Sequence, residues 1–173
     1  GDQDIHFGDV AYKQHLGYAP EFPLLYDYLT GTEFIRFAAA CKGLPRETTH
    51  EQLNRWMPFF AMVDKMPDLI RSSSQGMLRK LSLMTAVIGA PRILLLDEAT
   101  NGLDPGSSYQ FKSYLTSFCQ QGGTVLFSSH IIETVEHLCD RILIIHEGDL
   151  LRELCRPDWE ALRSQHSSLE QLF

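Results

Sequence analysis

The clearest pattern of apolar and polar positions is a run of four aliphatic residues, Ile93 to Leu96, that leads directly into Asp97 and Glu98. Four consecutive apolar residues predict a strand that is buried on both faces, as in a parallel sheet covered by helices. Such strands end at the carboxyl edge of the sheet, where open α/β folds place ligands. The two carboxylates are therefore candidates for a site at that edge.

The chain after Glu98 keeps alternating between helical and strand patterns. The pattern predicts a helix at 105–121, a strand at 124–128, a helix at 131–139, a strand at 141–146, a hairpin turn into an antiparallel strand, and a short helix near 158–163. This order predicts a mostly parallel sheet with helices packed on it, that is, an α/β fold.

The first half of the chain reads as short strand-like runs at 4–7 and 15–20, followed by three helices. Thr30 and Glu33 have the spacing of a capping box, which marks the start of the first helix. The second helix, around 53–63, contains Pro58, which should kink or split it. The third follows apolar positions that step by four, three and four from Met77 to Ile88.

Composition limits the classes of protein that fit. A chain of 173 residues with 44% hydrophobic residues is long enough for one ordinary core with a small attached subdomain. The net charge of −7 disfavours a nucleic-acid partner, because such affinity comes largely from Lys and Arg. The four cysteines form no Cys-x-x-Cys motif and are expected to be reduced, as in a cytosolic protein. No apolar run is long enough to span a bilayer, so any membrane role is expected to come through a partner.

The sequence around Asp97 resembles the ATP-binding cassette (ABC) ATPases. Their Walker B strand, catalytic Glu and D-loop match "ILLLDEATNGLDP". The resemblance implies that Asp97 holds Mg²⁺ directly or through water, that Glu98 polarises the attacking water, and that Asp104 lies at a dimer interface. His130, which follows the strand "TVLFSSH", is similar to the switch His that contacts the γ-phosphate. Taken alone, a His at a strand end is more often structural.

Two upstream segments extend the resemblance. "SSSQGM" resembles the signature loop Leu-Ser-Gly-Gly-Gln without its first Gly and terminal Gln, and implies that Ser74 and Gly76 offer a hydroxyl and amides to phosphate. An ordinary Ser N-cap is the alternative that the residues alone allow. "LGYAPEFPLLYDYLTGTEFIRF" resembles the Q-loop with Glu21 in place of the usual Gln. Glu21 is a candidate to meet Mg²⁺ or its water, as an anion instead of an amide.

One motif of the family is missing from these residues. An ABC ATPase needs a Gly-x-x-x-x-Gly-Lys-Ser/Thr loop, whose amides and Lys cradle the phosphates. The chain contains no Gly-Lys dipeptide, and only 20 residues precede Glu21. We therefore expect that the N-terminal portion of the family's domain is absent, and that this chain alone binds Mg-ATP weakly or not at all.

The resemblance implies a partial P-loop NTPase core, with a mostly parallel sheet and flanking helices, plus a small ABC helical subdomain. The expected organisation is N-terminal strands and the Q-loop at 1–22, the helical subdomain with the signature loop at 23–90, and the remaining core with Walker B, D-loop and switch His at 91–173. These boundaries follow the order of the motifs along the chain.

The implied function is that of the nucleotide-binding subunit of an ABC transporter, which uses ATP and Mg²⁺. Its expected partners are a second ABC ATPase subunit, identical or different, and a transmembrane permease that holds it at the cytoplasmic face of the cell membrane. A soluble ABC ATPase of the translation-factor type and a non-catalytic truncated cassette stay open as alternatives. The short spacing between Glu21 and Ser74 excludes the DNA-repair branch, which inserts coiled coils there.

Overall fold

A computed structural model gives the fold and describes residues 11–159. These residues divide into two compact units, one up to Ser128 and the other from Ser129. The first unit contains strands β1 (Leu16–Ala19), β2 (Ile93–Asp97) and β3 (Thr124–Ser128), helices α1 (Gly31–Cys41), α2 (Arg46–Phe59), α3 (Gln75–Val87) and α4 (Pro105–Gln120), and 3-10 turns at Ala11–His15, Val63–Lys65 and Ile70–Ser72. The α/β class is confirmed.

The first unit is built on a parallel sheet in the order β1-β2-β3. Along β2, Leu94 and Leu96 are buried while Ile93 is 42% exposed. Alternate side chains of a strand point to opposite faces, so one face of β2 is covered and the other is open among the described residues. The expectation that this strand is buried on both faces is therefore wrong for the described chain, because the packed helices cover only the face of Leu94 and Leu96.

The contact between α3 and β1 depends on Gly17. A Cβ atom at Gly17 would lie 2.0 Å from the carbonyl oxygen of Ala86 in α3 and 2.7 Å from Cδ2 of Leu94. The backbone of α3 therefore rests directly on β1, and the absence of a side chain permits this close approach.

Replacing Gly17 with Ala is expected to destabilise the protein by about 3 kcal/mol, since the added methyl meets backbone that cannot move aside without shifting α3. Denaturant unfolding followed by circular dichroism measures this change. Gly106→Ala is the matched control, because a Cβ at Gly106 would lie 3.4 Å from Oδ1 of Asp104, which is an ordinary van der Waals distance. The stability of this variant should stay within about 0.5 kcal/mol of the parent or rise. Equal stability of the two variants would contradict the packing described for α3.

The helices α1, α2 and α3 pack together, α1 contacting both of the others. The capping box predicted for α1 is confirmed: the Glu33 amide donates to the Thr30 hydroxyl at 3.2 Å, and the Thr30 amide donates to the Glu33 carboxylate at 2.8 Å. The core of this unit includes Phe34, Ile35, Leu53, Trp56, Phe60, Met66, Leu81, Leu83, Met84, Leu94, Leu96 and Phe111.

The second predicted helix is divided, as Pro58 led us to expect. Helix α2 begins at Arg46, ahead of the predicted stripe, and ends at Phe59, directly after the proline. The chain then turns through Ala61, which has a φ of 52°, into the separate 3-10 turn that starts at Val63. A proline in the last helical turn removes a backbone donor where few further bonds depend on it.

The second unit contains α5 (Ile132–Leu138), β4 (Arg141–His146) and β5 (Asp149–Cys155). The predicted hairpin is confirmed, since β4 and β5 pair antiparallel with an irregularity between Ile144 and Ile145. A small core of Ile142, Ile144 and Trp159 holds this unit together. Residues 156–159 are helical, while the rest of the helix predicted near 158–163 and the strand predicted at 4–7 lie outside the described residues.

Candidate functional site

Asp97 lies at the carboxyl edge of the parallel sheet, opposite Ser128 of β3 in the strand register. The Ser128 hydroxyl donates a hydrogen bond of 2.5 Å to Oδ1 of Asp97. Hydrogen bonds to a charged acceptor are the stronger kind, so this contact fixes the half-buried carboxylate at the end of its strand. The sequence predicted the edge position of Asp97, and it did not identify Ser128.

Glu98 is held in a strained backbone conformation by two neighbours. Its φ is 47°, in the left-handed region that non-glycine residues rarely adopt, at a cost of about 1–3 kcal/mol. The Glu98 amide donates to both the carbonyl oxygen and the hydroxyl of Ser128, each at 3.2 Å. Nδ2 of Asn101 donates to Oε2 of Glu98 at 2.9 Å. These bonds offset the strain and set the direction of the carboxylate.

The signature segment forms the first turn of α3. Ser74 is the exposed N-cap, and its hydroxyl accepts a hydrogen bond of 3.3 Å from the Met77 amide. A hydroxyl that accepts still has a proton to donate, so the capping role leaves a donor for an anion. A Cβ at Gly76 would lie 3.0 Å from the carbonyl oxygen of Gly102, which shows that this turn lies against the loop after Glu98.

Asp104 caps the N-terminus of α4 and pairs with α3. Its carboxylate lies 2.7 Å from Nζ of Lys80 and accepts from the amide of Ser107 at 2.8 Å and from the Ser107 hydroxyl at 2.7 Å. The hydrogen bond from Lys80, followed by those from Ser107, holds the pKa of Asp104 far below its ordinary value of 3.8. Lys80 therefore ties the first turns of α3 to the end of the loop after β2.

Removing the Lys80 charge is expected to weaken the protein in a pH-dependent way. The folded-state pKa of Asp104 is lowered, so the stabilisation is fully present well above pH 3.8 and is lost as the pH falls toward the lowered value. Because the Asp104 side chain is 53% exposed, the expected loss in Lys80→Met near neutral pH is only about 1 kcal/mol. Urea unfolding from pH 7 to pH 2 should show the difference from the parent shrinking below pH 3.8.

Lys65→Met is the control for this measurement, since Lys65 and Asp68 form an exposed pair at 3.8 Å. Its stability should match that of the parent at every pH. A pH-independent loss in Lys80→Met, or an equal loss in the control, would contradict the special role of the Lys80 contact.

Arg79 is a site residue that the sequence analysis missed. Its guanidinium is buried and donates to the carbonyl oxygens of Pro20, at 2.7 Å, and Glu21, at 2.5 Å. Burial lowers the pKa of Arg79, while the carboxylates of Glu21, Asp97 and Glu98 act in the opposite direction. The charge of Arg79 thus acts on three of the predicted site carboxylates, while its hydrogen bonds go to backbone carbonyls.

A signal for Arg79 does exist in the sequence. Ser82 and Ala86 follow it at helical spacing, and both are buried together with it in α3. Small residues in this register mark a second buried face, the one that rests on Gly17. A charged residue on such a face has to be paired or hydrogen-bonded when it is buried.

The structure gives less information on the predicted roles of Glu21 and His130. The side chain of Glu21 is exposed, two residues after the end of β1. His130 belongs to the second unit, where it is exposed and lies two residues before α5 begins. The roles of both residues stay predictions.

The donor atoms of the site suit Mg²⁺. Within residues 11–159, no group of three or more His, Cys, Asp and Glu side chains is placed to hold a metal ion. Mg²⁺ is usually bound by one or two carboxylates together with phosphates and water, so the carboxylate of Asp97 fits this ion without a larger protein cage.

A cleft of about 930 Å³ lies elsewhere in the first unit, between α2 and α4. Aromatic rings from both helices line it, including Trp56 and Tyr114, whose centroids are 5.0 Å apart. None of the predicted site residues lines this cleft, so it is separate from the carboxyl edge of the sheet.

Among the described helices, none is both long and apolar enough to cross a membrane.

An acidic pair at the carboxyl end of a parallel strand, beside the capped start of a helix, lies where open α/β proteins bind their ligands. The chain matches the family model described as "ABC transporter" over residues 2–101, which is more than half of its length. It therefore belongs to the ABC transporter ATP-binding family.

Relatives and a solved structure agree with this assignment. An uncharacterized ABC transporter ATP-binding protein of Nostoc sp. is 36% identical over 83% of this chain and 44% of its own length. The ABC transporter ATP-binding protein NatA of Bacillus subtilis is 35% identical over 73% of this chain and 52% of its own length. The solved structure titled "Structure of ATP binding subunit of ABC transporter" superposes with a TM-score of 0.84 at 28% identity, covering 93% of this chain and 68% of that one. The chain thus spans about half the length of these curated relatives.

Proposed function

We propose that this chain supplies the metal-binding Asp, the catalytic Glu and the signature helix of an ATPase subunit that drives an ABC transporter. The observation that carries the proposal is the double role of Ser128, which binds the carboxylate of Asp97 and the amide of Glu98 at the edge of a parallel sheet. Together with the hydrogen bond from Asn101 to the Glu98 carboxylate, these contacts orient two adjacent carboxylates.

The residues have distinct roles in this proposal. Asp97 would hold Mg²⁺, directly or through water, and the ion would neutralise charge on the β- and γ-phosphates of ATP. Glu98, oriented by Asn101, would polarise the attacking water. Glu21 would contact the same ion or its water, and His130 would donate to the γ-phosphate.

The phosphate loop would come from residues outside this sequence, which contains no Gly-Lys dipeptide. We call a protein that carries this chain together with such a loop the loop-containing ATPase. The open face of the sheet offers a place where the chain segment with the phosphate loop could pack. Tyr18 and Leu126 lie on that face on either side of Leu95, and their side chains are 53% and 61% exposed. Asp97 ends the same row of alternating side chains.

Two such subunits would close head to tail around ATP. Ser74 and Gly76 of one subunit would face the nucleotide held by Asp97 of the other, and Asp104 would lie at the interface. Closing and opening of this dimer would drive the membrane partner. The exposed N-terminus of α3 supports this role, since helix N-termini attract phosphate.

The permease would dock on the segment after β1, at the cytoplasmic face of the membrane. Phe22, Leu24 and Tyr28 in this segment are 75%, 88% and 81% exposed. Large apolar side chains grouped on a surface are typical of a site that binds another protein.

Mixing two inactive variants of the loop-containing ATPase tests the shared site. Ser74→Ala and Asp97→Asn should each hydrolyse ATP poorly alone. Unfolded and refolded together, they should recover about a quarter of the parent activity, because half of the dimers are mixed and each mixed dimer has one intact site. Activity equal to the mean of the two separate variants would show that each site forms within one subunit.

A further inference from the structure

Two consecutive basic residues of α3 bind two different loops of the candidate site. Arg79 donates to the carbonyl oxygens of Pro20 and Glu21, in the loop that follows β1. Lys80 pairs with Asp104, at the end of the loop that follows β2. Both contacts originate from the helix that Ser74 caps.

The two hydrogen bonds of Arg79 form a tether between α3 and the loop after β1. A guanidinium carries several donors in a fixed fork, and here two of its nitrogens reach carbonyls of adjacent residues. The start of the loop has little apolar burial, since Phe22 and Leu24 are largely exposed. Further along, the ring of Tyr26 packs against Phe34 and Phe37 of α1. The position of the start of the loop, before Tyr26, therefore depends on hydrogen bonds such as those from Arg79.

The charge of Arg79 also matters to the site. Glu21, Asp97 and Glu98 all interact with the guanidinium. Like charges repel each other, and a cation of opposite sign nearby reduces that repulsion. The same residue thus holds a backbone segment by hydrogen bonds and has a charge opposite to that of these carboxylates.

We propose that Arg79 is the positioning residue for Glu21, and that it fastens the loop after β1 to the helix capped by Ser74. Lys80 fastens the loop that ends at Asp104 to the same helix. A displacement of α3 therefore moves both loops together with Ser74. Only the action of Glu21 on Mg²⁺ rests on the proposed function; the tether itself does not.

Limited proteolysis of the 173-residue chain with chymotrypsin tests the tether, using cleavage after Leu24, Leu25 or Tyr26 as the readout. Arg79→Met keeps most of the side-chain volume and removes every donor, and it should raise the cleavage rate by about tenfold or more. Arg79→Lys keeps the charge and a single donor group, so it should restore part of the resistance. If Arg79 acted through packing alone, the Arg79→Met and Arg79→Lys variants would instead resist cleavage equally well.

Lys80→Met is the matched control, one residue further along the same helix. It should leave cleavage at 24–26 unchanged and increase cleavage after Leu103. Mass spectrometry of the fragments separates the two sites, and the circular dichroism of each variant confirms that it is folded.

A folded Arg79→Met variant that is cleaved at the parent rate would overturn the proposal, as would equal acceleration at 24–26 by Lys80→Met. If Arg79→Met does not fold, the unmodified chain gives the answer by NMR. The proposal predicts a coupling across the hydrogen bond from Nη1 of Arg79 to the carbonyl carbon of Pro20, and a defined spectrum without this coupling contradicts it. Neither experiment contains ATP, so a failure of the tether and a failure of the ATPase function are distinguishable.

Discussion

Glu98→Gln in the loop-containing ATPase is expected to lower the rate of ATP hydrolysis by about a thousandfold, because an amide does not accept the proton of the attacking water. The Gln side chain keeps an oxygen that can accept the Asn101 hydrogen bond, so the local geometry is retained. ATP binding should therefore stay unchanged. Steady-state phosphate release and equilibrium nucleotide binding measure the two quantities separately.

Glu51→Gln provides the control for this substitution. It is the same chemical change, made at an exposed residue of α2 that is distant in the sequence from Glu98. It should hydrolyse ATP at the parent rate. Unchanged hydrolysis in Glu98→Gln would remove Glu98 from the catalytic role. Parallel losses of binding, hydrolysis and melting temperature would assign it a structural role instead.

The second large effect concerns the 173-residue chain by itself. Titration of Mg-ATP into this chain should give no saturable binding in the micromolar range, because its sequence contains no Gly-Lys dipeptide, which the phosphate-binding loop of the family requires. Asp97 and Glu98 alone would repel the triphosphate where no metal ion lies between them.

The loop-containing ATPase is the positive control for the titration, and it should bind Mg-ATP with micromolar affinity under the same conditions. Asp97→Asn in that protein should bind less tightly in the presence of Mg²⁺ than the parent. Micromolar binding by the 173-residue chain would show that its own residues bind the nucleotide, contrary to the role that we propose for a phosphate loop outside this sequence.

The sequence predicted much of the fold because local rules decide those parts. The bounds of β2 and β3 follow from apolar runs that stop at polar residues. The start of α1 follows from the capping box of Thr30 and Glu33, and the start of α3 from Ser74. In each case the residues that set the boundary lie within a few positions of it.

The remaining features depend on residues that are distant in the chain. The burial of Arg79 requires carbonyls of Pro20 and Glu21, which no local pattern connects to α3. The open face of β2 depends on which faces of the sheet the helices cover. A run of apolar residues looks the same in the sequence whether the strand is covered on one face or on both. The left-handed backbone of Glu98 is stabilised by Ser128 from the next strand.

The candidate site is thus a sheet edge and a helix joined by a few polar contacts. Ser128 binds the carboxylate of Asp97 and the backbone amide of Glu98. Arg79 and Lys80 hold the loops on either side to α3. Motifs that are separated in the sequence share these contacts. In the dimer proposed above, these contacts would connect the phosphate that faces Ser74 to the loop that carries Glu21.

The most direct test of this account is the position of the metal ion in crystals of the Glu98→Gln loop-containing ATPase grown with ATP and Mn²⁺. Anomalous scattering locates Mn²⁺ without reference to any assumed mechanism. The account predicts the ion beside Asp97, bound directly or through one water, between the carboxyl edge of the sheet and the phosphates. An ion and nucleotide bound away from Asp97 would contradict it.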